Sequence, residues 1–173
     1  LFLIMSSLMD VAKAFKKNKF DFARITSHTA FGFFVLFIGL NDIFSIEKDY
    51  NIKLGETKRF EGYSIQLQNL DLKNYKNYQA VIGKLEIKNI NSSQTNILKP
   101  EIRIYDKPKT LTYEAAIKTS LIKDYYLTMS NIDRSDYYNI KFQKKPLMAW
   151  IWISVIMIVV GGFVRLFSNA KNN

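Results

Sequence analysis

Hydrophobic and polar positions follow two rhythms along this chain. Two segments, about Ile25 to Ile46 and about Leu147 to Phe167, are apolar nearly throughout. Each is roughly 20 residues long, the length a helix needs to cross a hydrocarbon core about 30 Å thick. The second, LMAWIWISVIMIVVGGFVRLF, holds no acid and one late arginine, Arg165. Asn41 and Asp42 interrupt the first near its far end, a position that suits an emerging helix end better than the bilayer centre. Between the two segments the period changes to two. YSIQLQNLDL places Tyr63, Ile65 and Leu67 on one face and Ser64 and Gln66 on the other. AVIGKLEIKNI sets Val81, Gly83, Leu85 and Ile87 against Ile82, Lys84, Glu86 and Lys88, and EIRIY and YYNIKFQ are shorter copies. This alternation predicts half-buried strands. LGE, EGY, NINSSQTN and YDKPK have turn-forming compositions. The stretch TYEAAIKTSLI suits a short helix or a strand equally. The expectation is an antiparallel sheet of six to eight strands, closed as a small barrel or sandwich.

The flanking charges orient this arrangement. Lys13, Lys16, Lys17, Lys19 and Arg24 precede the first span, and Arg165 and Lys171 end the second. Basic residues favour the cytoplasmic side, so residues 47–146 are expected outside, in a periplasm or its equivalent. Trp150 and Trp152 fall at the outer boundary of the last span, where indole rings favour the headgroup layer. The opening stretch LFLIMSSLM reads as the second half of a helix whose first half is missing. No positive residues precede it, as a signal peptide requires. The expected fold class is therefore a membrane protein of α+β type, the C-terminal piece of a longer chain. Its expected parts are the end of a truncated transmembrane helix at 1–14, a basic cytoplasmic loop at 15–24 and a transmembrane helix at 25–46. A periplasmic all-β domain at 47–146, a transmembrane helix at 147–167 and a cytoplasmic tail at 168–173 complete it.

Composition narrows the chemistry. The chain has no cysteine, which excludes disulfides, thiolate metal sites and cysteine nucleophiles within it. Its net charge of +10 is spread along the chain, most of it in the middle section among acids, so no nucleic-acid partner is expected. One histidine and no cysteine leave no nucleophilic triad on the outer domain. There is no glycine-rich phosphate loop; Gly161 and Gly162 lie inside an apolar span, where small residues permit close helix packing. Asp133 and Asp136 read as loop acids, and Asn91-Ser92-Ser93 matches a glycosylation acceptor that is common by chance. The single histidine, His28, stands at the mouth of the first apolar run. An ionisable residue there is costly unless it acts. Residue type leaves two readings open: a histidine hydrogen-bonded to a neighbouring helix, or an axial metal ligand whose counterpart lies elsewhere. Thr26, Ser27 and Thr29 are placed to orient its ring, and Gly32 shares its helix face and would leave room for something flat.

The run LKPEIRIYDKPKTLTYEAAIKTSLIKDYYLTM resembles the hallmark of the CcmF/NrfE-type cytochrome c haem lyases. There a PEKR-x-Y stretch leads to T-E-A-A-I and then to an acidic-aromatic strand. The matching residues are Pro100, Glu101, Arg103 and Tyr105, then Glu114, Ala115, Ala116 and Ile117, then Asp124, Tyr125 and Tyr126. KPLMAWIWISVIMIVVGG is similar to the family's closing span, and HTAFGFFVLFIG to the helix before its last outer domain. GETKRFEGYSIQLQNL and NYQAVIGKLEI fit as well, so the resemblance runs in order from about Arg24 to Phe167. The chain departs from the family at Ile102, where lysine is usual, and at Tyr138 and Lys141, where tryptophan and arginine are usual. Tyr113 also departs, with the threonine displaced to Thr112.

The resemblance implies a many-span protein that joins haem to apocytochrome c. Two thiols of a C-x-x-C-H segment add to the haem vinyl groups as thioethers. It implies a haem chaperone, apocytochrome c, thiol-reducing maturation proteins and the lipid bilayer as partners. The expected location is the bacterial inner (cytoplasmic) membrane, with an organellar inner membrane as the alternative. It also implies a b-type haem held between two transmembrane histidines, of which His28 matches the second. The first ligand and the substrate-haem site would lie upstream. Phe31, Phe33, Phe34 and Val35 are expected to wall that haem, and no catalytic residue falls within the chain. The piece alone is expected to be inactive. The competing expectation is a non-catalytic β interaction module anchored by two helices.

Overall fold

The structure, a computed structural model, describes residues 22–92, 94–131 and 135–170. Ahead of these it describes Phe2, Met5, Ser6, Met9, Ala12 and Lys13, all helical. The expected helix end at 1–14, the basic loop at 15–24 and the tail at 168–173 fall largely outside these residues, as do Asp133 and Lys171. Among the described residues the chain is α+β, two apolar helices flanking an antiparallel β-sandwich in sequence. It divides into two compact units.

The first unit contains helix α1 (Phe22–Phe44), helix α2 (Met148–Ala170) and the short segment Ser120–Lys123. Both helices are long and apolar enough to cross a bilayer. They pack antiparallel, with Ser27 against Gly161 at one end and Phe37 5.9 Å from Trp150 at the other. Small residues set the approach: Ala30 is fully buried, and Ser154 is buried with its hydroxyl donating to the Trp150 carbonyl at 2.8 Å. A Cβ on Gly161 would lie 2.1 Å from Ser27 Oγ, so only glycine fits there. Asn41, one of the two polar interruptions, is not idle at the helix end. Its amide donates to the Pro146 carbonyl just ahead of α2, and Ser45 Oγ donates to the Asn41 carbonyl at 2.6 Å.

The second unit is the sandwich. One sheet is ordered β1 (Ile46–Ile52), β10 (Tyr138–Pro146), β9 (Lys123–Asn131) and β8 (Ala116–Lys118). The other is ordered β2 (Thr57–Phe60), β3 (Tyr63–Asn74), β4 (Tyr78–Asn89), β6 (Glu101–Tyr105) and β7 (Thr110–Glu114), with β5 (Thr95–Leu98) also on β4. The inner faces supply Ile65, Leu67, Leu85, Ile87, Leu127, Met129, Ile140 and Phe142, each at most 1% exposed. Tyr63, Ile65 and Leu67 share the buried face, as their alternation requires. The β2–β3 connection is Glu61-Gly62 with φ of 41° and 80°, the doubly left-handed two-residue turn that matches strand twist.

Among the described residues ten strands replace the expected six to eight, and a proline accounts for part of the excess. β5 and β6 pair with the same edge of β4 in one continuous register, Lys88↔Thr95 through Tyr78↔Tyr105. Pro100, which has no N–H, splits them, while its carbonyl accepts from Gly83 N at 3.0 Å. TYEAAIKTSLI resolves into strands: β7 ends at Glu114, and the chain crosses to β8 in the other sheet.

Candidate functional site

Helix α1 sorts its residues by face. Ala23 and Ala30 are buried, whereas Arg24, His28, Phe31 and Val35 succeed one another on an exposed face at intervals of four, three and four. Phe31 and Val35 are 47% and 50% exposed, as are other apolar side chains of the two helices, Ile38 and Val159 among them. His28 lies at the flank of the helix pair, beside a recess of about 310 Å³. Ser27, Arg24, Gly161, Gly162 and Arg165 line the recess with it. The two glycines serve different ends. Gly161 is filled by Ser27, whereas a Cβ on Gly162 would meet nothing within 4 Å, so its bare backbone leaves the recess open.

The surroundings of His28 differ from the expectation in two respects. Gly32 is buried, not open beside the ring. The open glycine comes from α2 instead. Ser27, expected to orient the ring, is turned against Gly161. Of the four expected wall residues, Phe31 and Val35 share the His28 face. Phe33 stacks on Phe37 at 5.7 Å and lines a second recess with Trp150 and Met157. Phe34 lies 6.5 Å from Phe31.

His28, exposed on a helix flank beside the bare backbone of Gly162, would be able to give an imidazole nitrogen to the metal of a macrocyclic cofactor there. Among the described residues no cluster of three His, Cys, Asp or Glu exists to hold a free metal ion.

In the sandwich, β-pairing gathers a polar and aromatic cluster on one sheet face. Glu101 pairs with Glu114, and Arg103 with Thr112, across β6 and β7, while Tyr78 pairs with Tyr105 across β4 and β6. Arg103 Nε donates to Glu101 at 2.8 Å and its guanidinium lies 5.1 Å from the Tyr78 ring centre. The Glu101 bond, aided by Tyr105, holds the Arg103 guanidinium above its ordinary value. Tyr75 stacks on Tyr78 at 4.6 Å, extending the aromatic ladder. Asp124 and Tyr125 belong elsewhere: both are buried, and Tyr125 packs with Tyr63 and Phe142 in the core.

Residues 43–146, which contain all ten described strands, match the family described as the CcmF C-terminal beta-sandwich. This chain belongs to that family. The cytochrome c-type biogenesis protein CcmF of Haemophilus influenzae is 23% identical over 152 residues, 88% of this chain and 23% of that protein. A solved structure titled Cytochrome c Heme Lyase CcmF superposes with a TM-score of 0.62 at 15% identity, covering 80% of this chain and 23% of that one. At that identity the likeness speaks for the fold. The chain spans about a quarter of the length of these relatives.

Within the CcmF C-terminal sandwich, the run that carries the sequence resemblance divides by position. Glu101, Arg103, Tyr105 and Glu114 form the outer cluster, Pro100 is the fully buried break between β5 and β6, and Tyr125 is core. Tyr78 joins the cluster from β4, where the β4–β6 register sets it opposite Tyr105. Arg24 and Arg165, which the sequence suggests only as markers of topology, stand in the His28 recess.

Proposed function

We propose that this chain is the C-terminal part of a cytochrome c haem lyase of the bacterial inner membrane, with His28 as one axial ligand of a b-type haem. Helices α1 and α2 span the membrane, with the first span at Phe22–Phe44 rather than 25–46 because Ile46 already opens β1; the strands between them form the periplasmic domain, and the stretches ahead of α1 and behind α2 face the cytoplasm. The second axial ligand and the substrate-haem site belong to the rest of the lyase. The observation that carries this reading is the family match over 43–146, directly behind a helix that presents the chain's one histidine on an exposed face.

The reaction adds each thiol of a C-x-x-C-H segment across a haem vinyl group. Sulfur bonds to one vinyl carbon, the thiol proton ends on the other, and the double bond becomes single, with no net electron transfer. When bound, a b-type haem with two imidazole ligands supplies one-electron transfer, which suits keeping the substrate iron reduced. This chain's residues position that group. His28 offers the lone pair of a neutral imidazole. The Ser27–Gly161 contact fixes the helix turn beneath it, and Phe31 and Val35 exclude water along the same face. The sandwich takes no catalytic role. It docks apocytochrome c, the haem chaperone or the thiol-reducing proteins.

The test is complementation. Cells lacking their own haem lyase receive the intact protein, and covalent haem in a cytochrome c is read by haem staining of a denaturing gel. Stained cytochrome at normal membrane levels of the protein is the expected result. Its absence at those levels overturns the lyase reading and leaves a non-catalytic anchored module.

A further inference from the structure

Of the four strands that end the two sheets, three carry charge along their length: Glu47, Lys48 and Asp49 on β1, Lys58 and Arg59 on β2, and Lys118 on the three-residue β8. Charge on an edge strand turns away other strands. β7 is the exception. It reads TLTYE, with no proline and no charge ahead of its last residue. Its ladder runs to β6 alone, and no other backbone hydrogen bond involves Thr110–Glu114 among the described residues. Leu111 and Tyr113 stand opposite Ile104 and Ile102, on the side of the sheet that faces the core. Ile102 is buried there, but Leu111 and Tyr113 are 45% and 46% exposed. The β6–β7 hairpin also has a charge gradient. At its turn Lys107 and Lys109 outnumber Asp106, and at its open end Glu101 and Glu114 outnumber Arg103. Neither Lys107 nor Lys109 makes an ion pair among the described residues.

We propose that β7 is a self-pairing edge: two copies of this protein join β7 to β7, antiparallel across a twofold axis at Thr112. This goes beyond the haem-lyase reading and does not depend on it. Full overlap of the two strands sets Thr112 opposite its own copy, Leu111 opposite the other copy's Tyr113, and Thr110 opposite the other copy's Glu114. Each exposed apolar side chain thereby gains a cross-strand apolar partner on its own face. The backbone N–H and C=O groups on the outer side of β7, which have no ladder partner, gain one. Antiparallel pairing also brings the acidic open end of one hairpin beside the basic turn of the other. The twofold axis repeats that match at both ends of the contact. The apolar pair and the charge gradient both close on themselves, which selects a second copy over an unrelated strand. The result is one continuous sheet running through both molecules.

The experiment uses the intact protein in membranes, with a cysteine placed at Thr112 and, as a control, at Lys58 on the charged edge β2. Under a mild oxidant Thr112→Cys should form a disulfide-linked dimer at least about tenfold more than Lys58→Cys, because residue 112 meets its own copy within the reach of a disulfide. High salt should lower the cross-linked fraction, since the paired hairpin ends are exposed. After extraction, light scattering should give the parent the mass of two chains and Leu111→Lys the mass of one. Leu111 is exposed at an edge, so this lysine guards the strand without entering the core, and the strand signature in circular dichroism should stay unchanged. Equal cross-linking at positions 112 and 58 overturns self-pairing. A parent of single-chain mass with no cross-link at 112 also overturns it; β7 is then covered by the rest of the chain or by a different protein's strand. A two-chain mass that survives Leu111→Lys overturns it as well and puts the contact elsewhere.

Discussion

Three glycines show how much one absent side chain decides. A Cβ on Gly161 would meet Ser27 Oγ at 2.1 Å and the Ala23 carbonyl at 3.0 Å. Gly161→Ala must push the helices apart, and thermal unfolding in detergent should show a loss of about 1–3 kcal/mol. Gly162→Ala meets nothing within 4 Å, so it should leave the unfolding midpoint in place and lower haem occupancy by filling the recess. Equal effects of the two would place both glycines at the helix contact. In the sandwich, a Cβ on Gly83 would lie 2.6 Å from Met129 Sδ, and Met129 is fully buried. Gly83→Ala should destabilise by about 1–3 kcal/mol. At this scale the sequence was readable where a residue type is rare. His28 stood out as a lone histidine at an apolar boundary, and the Gly161-Gly162 pair as a sign of packing. The division of labour between the glycines, and the approach of Arg165 to His28, depend on the pairing of helices far apart in sequence. No local pattern encodes that.

Elements were legible where period and punctuation agree. Tyr63, Ile65 and Leu67 alternate into the core, and Gly62 takes the left-handed turn that its EGY context suggests. Two features were hidden. A register shift between Leu67 and Asn69 inserts Gln68 as a bulge and brings Leu70 against the core. The three-residue spacing from Leu67 to Leu70 is the only local trace of it. The β5–β6 break at Pro100 turns one strand into two. TYEAAIKTSLI was ambiguous because its composition serves both states; the partners available, β6 for one half and β9 for the other, decide for strand. The first sheet also carries a pH-sensitive edge. Glu47 on β1 pairs with Lys141 on β10 and, by that hydrogen bond, holds its ammonium above the ordinary lysine value. The folded value exceeds the unfolded one. The pair's contribution is therefore full below the ordinary value and is lost as pH rises through the raised one. Unfolding followed above ~pH 10 should show a smaller alkaline loss of stability in Lys141→Ala than in the parent. An identical loss would remove this pair from the account.

At the scale of the whole molecule, the two units carry different burdens. The sandwich core is built wholly from its own strands, from Ile52 to Phe142, and its outer cluster of Glu101, Arg103, Tyr105 and Tyr78 is a well-satisfied network. The helix pair presents the chain's one histidine on an exposed face. The α+β class and the flanking of strands by apolar helices followed from hydrophobic period alone, because length and alternation are properties of the backbone. Function did not. Composition and spacing left His28 with two meanings, and the family resemblance favours the ligand. The central claim is that His28 ligates a b-type haem. The most direct test is the reduced-minus-oxidised visible spectrum of the purified intact protein, compared with that of His28→Ala at matched yield. The account predicts a b-type α band in the parent and its loss in the variant, with the strand signature in circular dichroism retained. An undiminished band in His28→Ala would contradict it and return the histidine to helix packing.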